Sequence, residues 1–201
     1  DSHSGDANGL PDRHASNPLP PGAPDVPADA EQGVADTHGH AGRGSARTTL
    51  LDSAGGVTKI RFALGAYDVQ AVLREEKQRA LVSASGLPYR LKARGLPALP
   101  VKRVNVVIPP DSEPDVRVVA RDYHDIPSVA PVVSSGFFSR GANRPPPVAA
   151  VESVPGAAYP LAPVSLTEPF WIRTVRGVGV RICPFQYFPR RGVLRVFTQL
   201  D

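Results

Sequence analysis

Residues 95–110 read GLPALPVKRVNVVIPP, and this stretch decides the fold class. Residues 101–108 within it include four valines and one isoleucine, β-branched residues that pack well on a pleated sheet. Prolines stand at both borders of this run, where they end a hydrogen-bonded ladder. The stretch therefore predicts a β-strand over residues 101–108 that is entered and left through turns.

Four further runs have a similar composition and are predicted strands: residues 57–62, 116–121, 178–182 and 193–197. The first of these, VTKIRF, alternates apolar with polar residues, as a half-buried strand does. The chain has 23 prolines in 201 residues, and an all-helical bundle does not accommodate proline at that frequency. Short strands separated by turns predict an all-β sandwich or barrel.

One segment has two interpretations. Residues 67–84 place apolar side chains at helical spacing on both sides of a charged run of good helix formers. The local pattern favours a helix. A hairpin that turns at the charged run is the equal alternative.

Residues 1–47 differ in composition from the rest of the chain. They hold seven acidic side chains, three arginines, four large aliphatic residues and no aromatic residue. Such a segment buries too little apolar surface to offset the cost of ordering its backbone. We predict a disordered acidic leader over residues 1–47 and a folded domain over residues 48–201. His38 and His40 lack a third ligand type nearby, so no metal site is predicted.

The sequence contains no recognisable set of catalytic residues. Cys183 is the single cysteine, which excludes an internal disulfide, and it is far in sequence from His124, the one histidine after residue 47. We interpret Cys183 as a structural core residue and His124 as part of a polar turn. No phosphate-binding loop, dinucleotide-binding motif or zinc-protease motif is present. Neither enzyme activity nor a cofactor is predicted.

The net charge of +4 does not indicate nucleic-acid binding. After residue 47 there are twenty basic and twelve acidic side chains, but the basic ones are scattered singly along the predicted strands. They lack neighbouring aromatic residues on which bases stack. No apolar stretch approaches the roughly 18 residues of a membrane-spanning helix. We expect neither a nucleic-acid partner nor a membrane span.

Two motifs carry a family resemblance that spans about residues 87–200. The first is the GLPALP entry at residues 95–100 with its strand and the proline that follows. The second begins at Tyr159-Pro160 and continues through VRGVGVRI at 175–182, PFQYFP at 184–189 and GVLRVF at 192–197. In order and spacing, both motifs resemble the propeptides of gingipain-type cysteine peptidases.

The resemblance implies an antiparallel, jelly-roll-like β-sandwich, in which residues 67–84 are strand and turn. It also implies a non-catalytic, secreted or cell-surface domain. Such propeptides chaperone and inhibit a caspase-like cysteine peptidase domain encoded downstream, and they cover its active-site cleft.

The irregular run at residues 134–158 is the candidate inhibitory loop, because it is too long for a routine hairpin connection. It carries Ser139, Arg140, Gly141 and Arg144. The resemblance implies a loop that blocks the cleft, and an arginine on it would enter an acidic specificity pocket as a substrate does. An ordinary exposed loop is the equal alternative. Arg140 is favoured because flexible Gly141 follows it, whereas the proline after Arg144 restricts that arginine.

The alternative from a different class is a β-sandwich adhesion or carbohydrate-binding module. Such a module needs an exposed aromatic platform. Trp171, the single tryptophan, follows Phe170 in an apolar stretch. We predict that Trp171 lies in the core, which favours the propeptide interpretation.

Overall fold

The computed structural model describes residues 37–40, 44–74, 76–137 and 158–201 of the chain. These residues form no helix and thirteen β-strands: β1 (Thr37–His40), β2 (Arg47–Ala54), β3 (Val57–Ala63), β4 (Ala66–Arg74), β5 (Lys77–Ala84), β6 (Tyr89–Arg90), β7 (Pro100–Val107), β8 (Arg121–Ile126), β9 (Val164–Leu166), β10 (Phe170–Ile172), β11 (Val175–Ile182), β12 (Phe185–Phe188) and β13 (Val193–Leu200).

The described strands form three sheets. Their strand orders are β1-β4-β5, β10-β11-β7-β6 and β12-β13-β3-β2. In addition, β9 pairs with β11 and β8 pairs with β13. Each of these strand pairings is antiparallel. The predicted all-β antiparallel fold is confirmed.

The hydrophobic core takes side chains from all three sheets. Val69 of β4, Val82 of β5, Ile182 of β11, Phe62 of β3 and Phe197 of β13 belong to one cluster, and each is at most 3% exposed. Buried positions recur with a period of two along β4 and β5, whereas β11 and β13 have buried residues at adjacent positions. Apolar residues at alternate positions therefore define the inner face of the β4–β5 hairpin.

Residues 67–84 form the β4–β5 hairpin, so the helix favoured by local spacing is wrong and the strand and turn implied by the resemblance are confirmed. The register pairs Val69 with Val82 on the core face, and Glu76 turns the chain with a φ of 61°. Helix propensities differ by only a few tenths of a kcal/mol per residue, whereas burying a valine contributes about 1.5 kcal/mol or more. Burial therefore outweighs local propensity here.

Four of the five predicted strands overlap β3, β7, β11 and β13. The prediction of a strand over residues 116–121 is wrong, because the strand in this region is β8, which begins at Arg121. Strand β8 pairs with β13, with Arg121 opposite Leu200 at one end and Ile126 opposite Leu194 at the other. Val119, in the predicted strand, is 80% exposed. Access to the edge of β13 decided the position of this strand.

Most of the predicted leader, residues 1–36 and 41–43, lies outside the described residues. Near its end, β1 pairs with β4, and Ala46 is buried. The disorder of the leader stays a prediction, and so does the boundary between leader and folded domain after residue 47.

Candidate functional site

Only the two ends of the candidate inhibitory loop are described. Ser139, Arg140, Gly141 and Arg144 lie in residues 138–157, outside the described residues. Their role as a plug stays a prediction. What the structure defines is how the chain enters this stretch and how it leaves it.

The chain approaches the loop through a series of main-chain hydrogen bonds to the first motif. The N–H of Ala98 donates to the carbonyl of Val132 at 2.8 Å, and the N–H of Ser134 donates to the carbonyl of Leu96 at 2.8 Å. The N–H of Gly95 donates to the carbonyl of Ser134 at 2.9 Å. The GLPALP segment therefore holds the entry to the loop as well as the start of β7.

Gly136 and Phe137 are the last described residues before the candidate loop. Gly136 has a φ of 78°, and a Cβ at this position would lie 3.2 Å from the Cβ of Arg94, so glycine suits this turn. Its N–H donates to the Oγ of Ser134 at 3.1 Å. Phe137 is 85% exposed, with the Nζ of Lys92 5.0 Å from its ring centroid.

Ala158 is the first described residue after the candidate loop, and it is buried. Tyr159 and Tyr187 then exchange two main-chain hydrogen bonds, each of 2.7 Å. The side-chain amide of Gln186 donates to the carbonyls of Pro160 at 2.8 Å and Leu161 at 3.1 Å. This end of the candidate loop is therefore held by β12, which belongs to the second motif.

Among the described residues, the two buried polar side chains are those of Ser134 and Gln186. Each one hydrogen-bonds to an end of the loop. A buried polar group that loses its hydrogen bond costs about 1–3 kcal/mol, so these bonds hold the ends in place. Gln186 lies within the PFQYFP motif, which is a sequence signal, whereas nothing in the sequence distinguishes Ser134.

Cys183 and His124 do not form a catalytic pair. The Sγ of Cys183 lies 3.5 Å from the carbonyl oxygen of Pro100 and 3.2 Å from that of Phe185. Burial raises the pKa of the Cys183 thiol to about 12, so the group stays protonated and inert at neutral pH. The Nε2 of His124 lies 2.7 Å from the hydroxyl of Tyr67. The prediction of a core cysteine is confirmed, whereas His124 lies in β8 rather than in a turn.

The prediction that Trp171 lies in the core is wrong. Trp171 is 57% exposed on β10, the last strand of its sheet. It stands opposite Arg176 on β11. The ring of the neighbouring Phe170 packs over Gly177, and its Cζ lies 3.1 Å from the point that a Cβ of residue 177 would occupy. Adjacent residues of a strand lie on opposite faces, so Phe170 packs over Gly177 while Trp171 lies on the other face and stays exposed.

Within the described parts of the chain, no group of three or more His, Cys, Asp or Glu residues is arranged to hold a metal ion. No helix in those parts is long and apolar enough to span a membrane.

The model of the Propeptide_C25 family matches residues 40–201. The chain belongs to this family. It is a gingipain-type C25 propeptide domain, and the predictions of a propeptide and of a non-catalytic domain are confirmed.

The C25 propeptide is similar to two curated proteins of Porphyromonas gingivalis. It is 27% identical to gingipain R1 over 146 residues, which are 72% of this chain and 15% of that protein. It is 26% identical to gingipain R2 over 153 residues, which are 75% of this chain and 21% of that protein. The chain therefore spans about a fifth or less of the relatives it matches.

Two solved structures have a similar fold. One is the complex of Porphyromonas gingivalis RgpB pro- and mature domains, with a TM-score of 0.70, 23% identity, and coverage of 76% of this chain and 81% of that chain. The other is from a study of the zymogenic latency of gingipain K from Porphyromonas gingivalis, with a TM-score of 0.64, 17% identity, and coverage of 83% and 97%.

Proposed function

We propose that this C25 propeptide inhibits a gingipain-type cysteine peptidase by covering its active-site cleft, and that it assists the folding of that peptidase. The observation that carries the proposal is the pair of fixed ends around residues 138–157, each held by a buried polar side chain. Membership of a propeptide family favours this function over an adhesion or carbohydrate-binding module.

Fixed ends suit a loop that enters a cleft. Ordering a flexible segment on binding costs free energy, and a segment already held at both ends loses less freedom than a free peptide. Loops longer than about 12–15 residues without secondary structure are uncommon and are often functional. The stretch between Phe137 and Ala158, interpreted as a loop from the sequence, exceeds that length.

We propose that Arg140 occupies the specificity pocket of the peptidase, with Ser139 and Gly141 on either side of it. Gly141 lets the backbone approach a cleft closely, whereas the proline after Arg144 restricts that arginine and makes the following bond a poor substrate. Activation requires eventual cleavage of the loop, which also favours Arg140. The partner is then a peptidase domain with an acidic pocket, encoded in the same precursor. The propeptide acts as a secreted or cell-surface domain.

The test is to titrate the separated peptidase with the wild-type propeptide and with the variants Arg140→Ala and Arg144→Ala. Truncating one partner of a buried charge pair typically costs 2–5 kcal/mol. We therefore expect Arg140→Ala to raise the inhibition constant about 30- to 4,000-fold. Arg144→Ala is the matched control and should inhibit as the wild type does.

A large loss with Arg144→Ala alone would assign the pocket to Arg144 instead. Unchanged inhibition by both variants would show that the loop does not enter the specificity pocket. If the wild-type propeptide fails to inhibit, the proposed function is wrong. Refolding the peptidase with and without the propeptide tests the chaperone role, for which we expect a higher yield of active enzyme.

A further inference from the structure

The sheet formed by β6, β7, β9, β10 and β11 carries basic side chains and no acidic ones. None of its five strands contains an aspartate or a glutamate. Opposite charges that face each other across neighbouring strands stabilise a sheet, whereas like charges directly opposite destabilise it. The strands hold five basic residues, namely Arg90, Lys102, Arg103, Arg176 and Arg181. Strand pairing within this sheet therefore offers none of these cations a carboxylate.

Three of the five cations donate hydrogen bonds to main-chain carbonyls. Arg90 donates through Nη1 to a carbonyl oxygen at 2.9 Å, and Lys102 donates through Nζ to another at 3.3 Å. Arg176 donates to the carbonyls of residues 109, 110 and 112, which follow β7. These three side chains therefore have partners within the domain and hold its main chain in place.

Arg103 and Arg181 differ from the other three cations. Within the described parts of the chain, neither side chain forms an ion pair or donates a hydrogen bond, and the Nε of Arg181 is buried without a partner. The register of β7 and β11 places the two arginines directly opposite each other. The Cβ atoms of such a pair lie about 4.5–5.5 Å apart. Two positive charges are therefore held side by side with no anion to offset them.

Both arginines lie on the outer face of the sheet. Along β7, Arg103, Asn105 and Val107 are exposed, whereas the residues between them are half-buried. Residues directly opposite each other on neighbouring strands share a face, so Arg181 lies on the same side, where it is half-buried. A ligand therefore reaches the pair from solvent, and the partial burial of Arg181 strengthens its attraction to an anion.

The neighbours of the pair on the adjoining strands are uncharged. The ring centroid of Tyr89 on β6 lies 5.5 Å from the guanidinium carbon of Arg103, a contact that orients this arginine. Ser165 of β9 stands opposite Arg181 on its other side, and Asn105 follows Arg103 on the same face. Serine hydroxyls and asparagine amides donate hydrogen bonds without adding charge. We call Arg103, Asn105, Ser165 and Arg181 the arginine patch.

The geometry points to an oxyanion-binding site at the arginine patch, one that takes the phosphate group of inorganic phosphate or of a phosphate monoester. Two adjacent guanidinium groups carry two positive charges, and a phosphate dianion matches that charge. Its oxygens accept hydrogen bonds from two planar forks at once, whereas a single carboxylate has two oxygens and pairs with one fork. This site is separate from the proposed inhibition of a peptidase and does not depend on it.

The experiment titrates the full chain at pH 8 by calorimetry with inorganic phosphate and with glycerol 3-phosphate, at an ionic strength held constant with sodium chloride. We expect saturable binding by the wild type. Arg103→Gln and Arg181→Gln should each weaken it by about 10-fold or more, because each removes a charged donor. Arg121→Gln is the matched control, since it removes the same charge from an exposed position on β8, and it should bind within about 2-fold of the wild type.

Thermal unfolding gives a second measurement that also checks the fold of each variant. In phosphate-free buffer, Arg181→Gln should unfold about 1–4 °C above the wild type, because it removes one of two like charges and the unpartnered Nε. Added phosphate should raise the midpoint of the wild type and of Arg121→Gln, since a ligand that binds the folded state stabilises it. It should leave the midpoint of Arg181→Gln almost unchanged.

Saturable binding of both probes would show that the patch accepts an esterified phosphate, and binding of inorganic phosphate alone would assign it to the free ion. Either result supports the site if both patch variants lose it. No saturable binding by the wild type, or equal binding by all three variants, would overturn the proposal. So would a midpoint shift that sodium chloride reproduces, or a lower midpoint for Arg181→Gln in phosphate-free buffer.

Discussion

Arg195 combines three interactions on the outer surface of β13. Its Nε and Nη2 donate to the two carboxylate oxygens of Asp125 at 2.8 and 3.0 Å. Its guanidinium carbon lies 4.0 Å from the ring centroid of Tyr123 and 4.9 Å from that of Phe188. The hydrogen bond from Arg195 lowers the pKa of the Asp125 carboxyl. One side chain thereby joins β8, β12 and β13.

The pH dependence of this pair has a definite sign. Because the pKa of Asp125 is lower in the folded state, the pair stabilises the fold above the ordinary carboxyl pKa of about 3.9. That stability is lost as the pH falls through the folded pKa. We expect Asp125→Asn to lower the free energy of unfolding by about 0.5–1 kcal/mol at pH 7, and the difference from wild type to narrow below about pH 4.

Asp115 provides the control, since its pair with Arg117 at 3.3 Å is highly exposed. Exposed pairs contribute little, so Asp115→Asn should match the wild type at every pH. Chemical denaturation between pH 2.5 and pH 7 measures both variants. A difference for Asp125→Asn that persists undiminished at pH 2.5 would contradict the assignment.

At the scale of elements, the β4–β5 hairpin turns through a residue that is poorly suited to its conformation. Glu76 has a φ of 61°, a region that costs an L-residue with a side chain roughly 1–2 kcal/mol. Glycine adopts this conformation without that cost but loses more entropy on folding. We expect Glu76→Gly to stabilise the domain by about 0.5–1 kcal/mol, measured by urea denaturation.

The neighbouring Lys77 is the matched control for this substitution. Lys77 opens β5 opposite Arg74, and glycine within a strand is destabilising. Lys77→Gly should lower the free energy of unfolding by about 0.5–1 kcal/mol. Equal destabilisation by both variants would show that Glu76 is not in a left-handed turn in solution.

At the scale of the whole molecule, Cys183 connects two of the sheets. Its side chain lies against main-chain carbonyls of Pro100 in β7 and Phe185 in β12. It is 2% exposed, and its pKa of about 12 leaves almost no thiolate at neutral pH. A reagent reaches this thiol only when the two sheets separate.

Alkylation of Cys183 should therefore report global unfolding. We expect labelling by iodoacetamide at pH 8 to be at least about 100-fold slower in native conditions than in denaturant, and its dependence on urea to follow the unfolding transition. The denatured chain is the control for intrinsic reactivity. Fast labelling well below the transition would mean that the core opens locally at Cys183.

Much of the fold follows from local patterns that the sequence displays. The valine-rich run at residues 101–108 is strand β7 with a shift of one residue, and the GLPALP turn precedes it. Of the two buried polar residues that hold the ends of the candidate loop, Gln186 could be singled out from the sequence because it lies in the second motif. Ser134 could not be predicted, because main-chain bonds to Leu96 and Gly95, which are remote in sequence, hold it where its side chain is buried.

Local sequence patterns were enough to predict the β class, the family and the places where turns interrupt the chain, because proline, glycine and β-branched residues act on the backbone within a few residues. Long-range contacts were needed to establish that residues 67–84 form a hairpin, that Trp171 is exposed and that the β2–β3 hairpin has a charged and an uncharged face. Each of these three features depends on which residue lies opposite on the neighbouring strand and on which side chains that pairing leaves exposed. Partners that are distant in sequence set that burial, and burial outweighs local propensity.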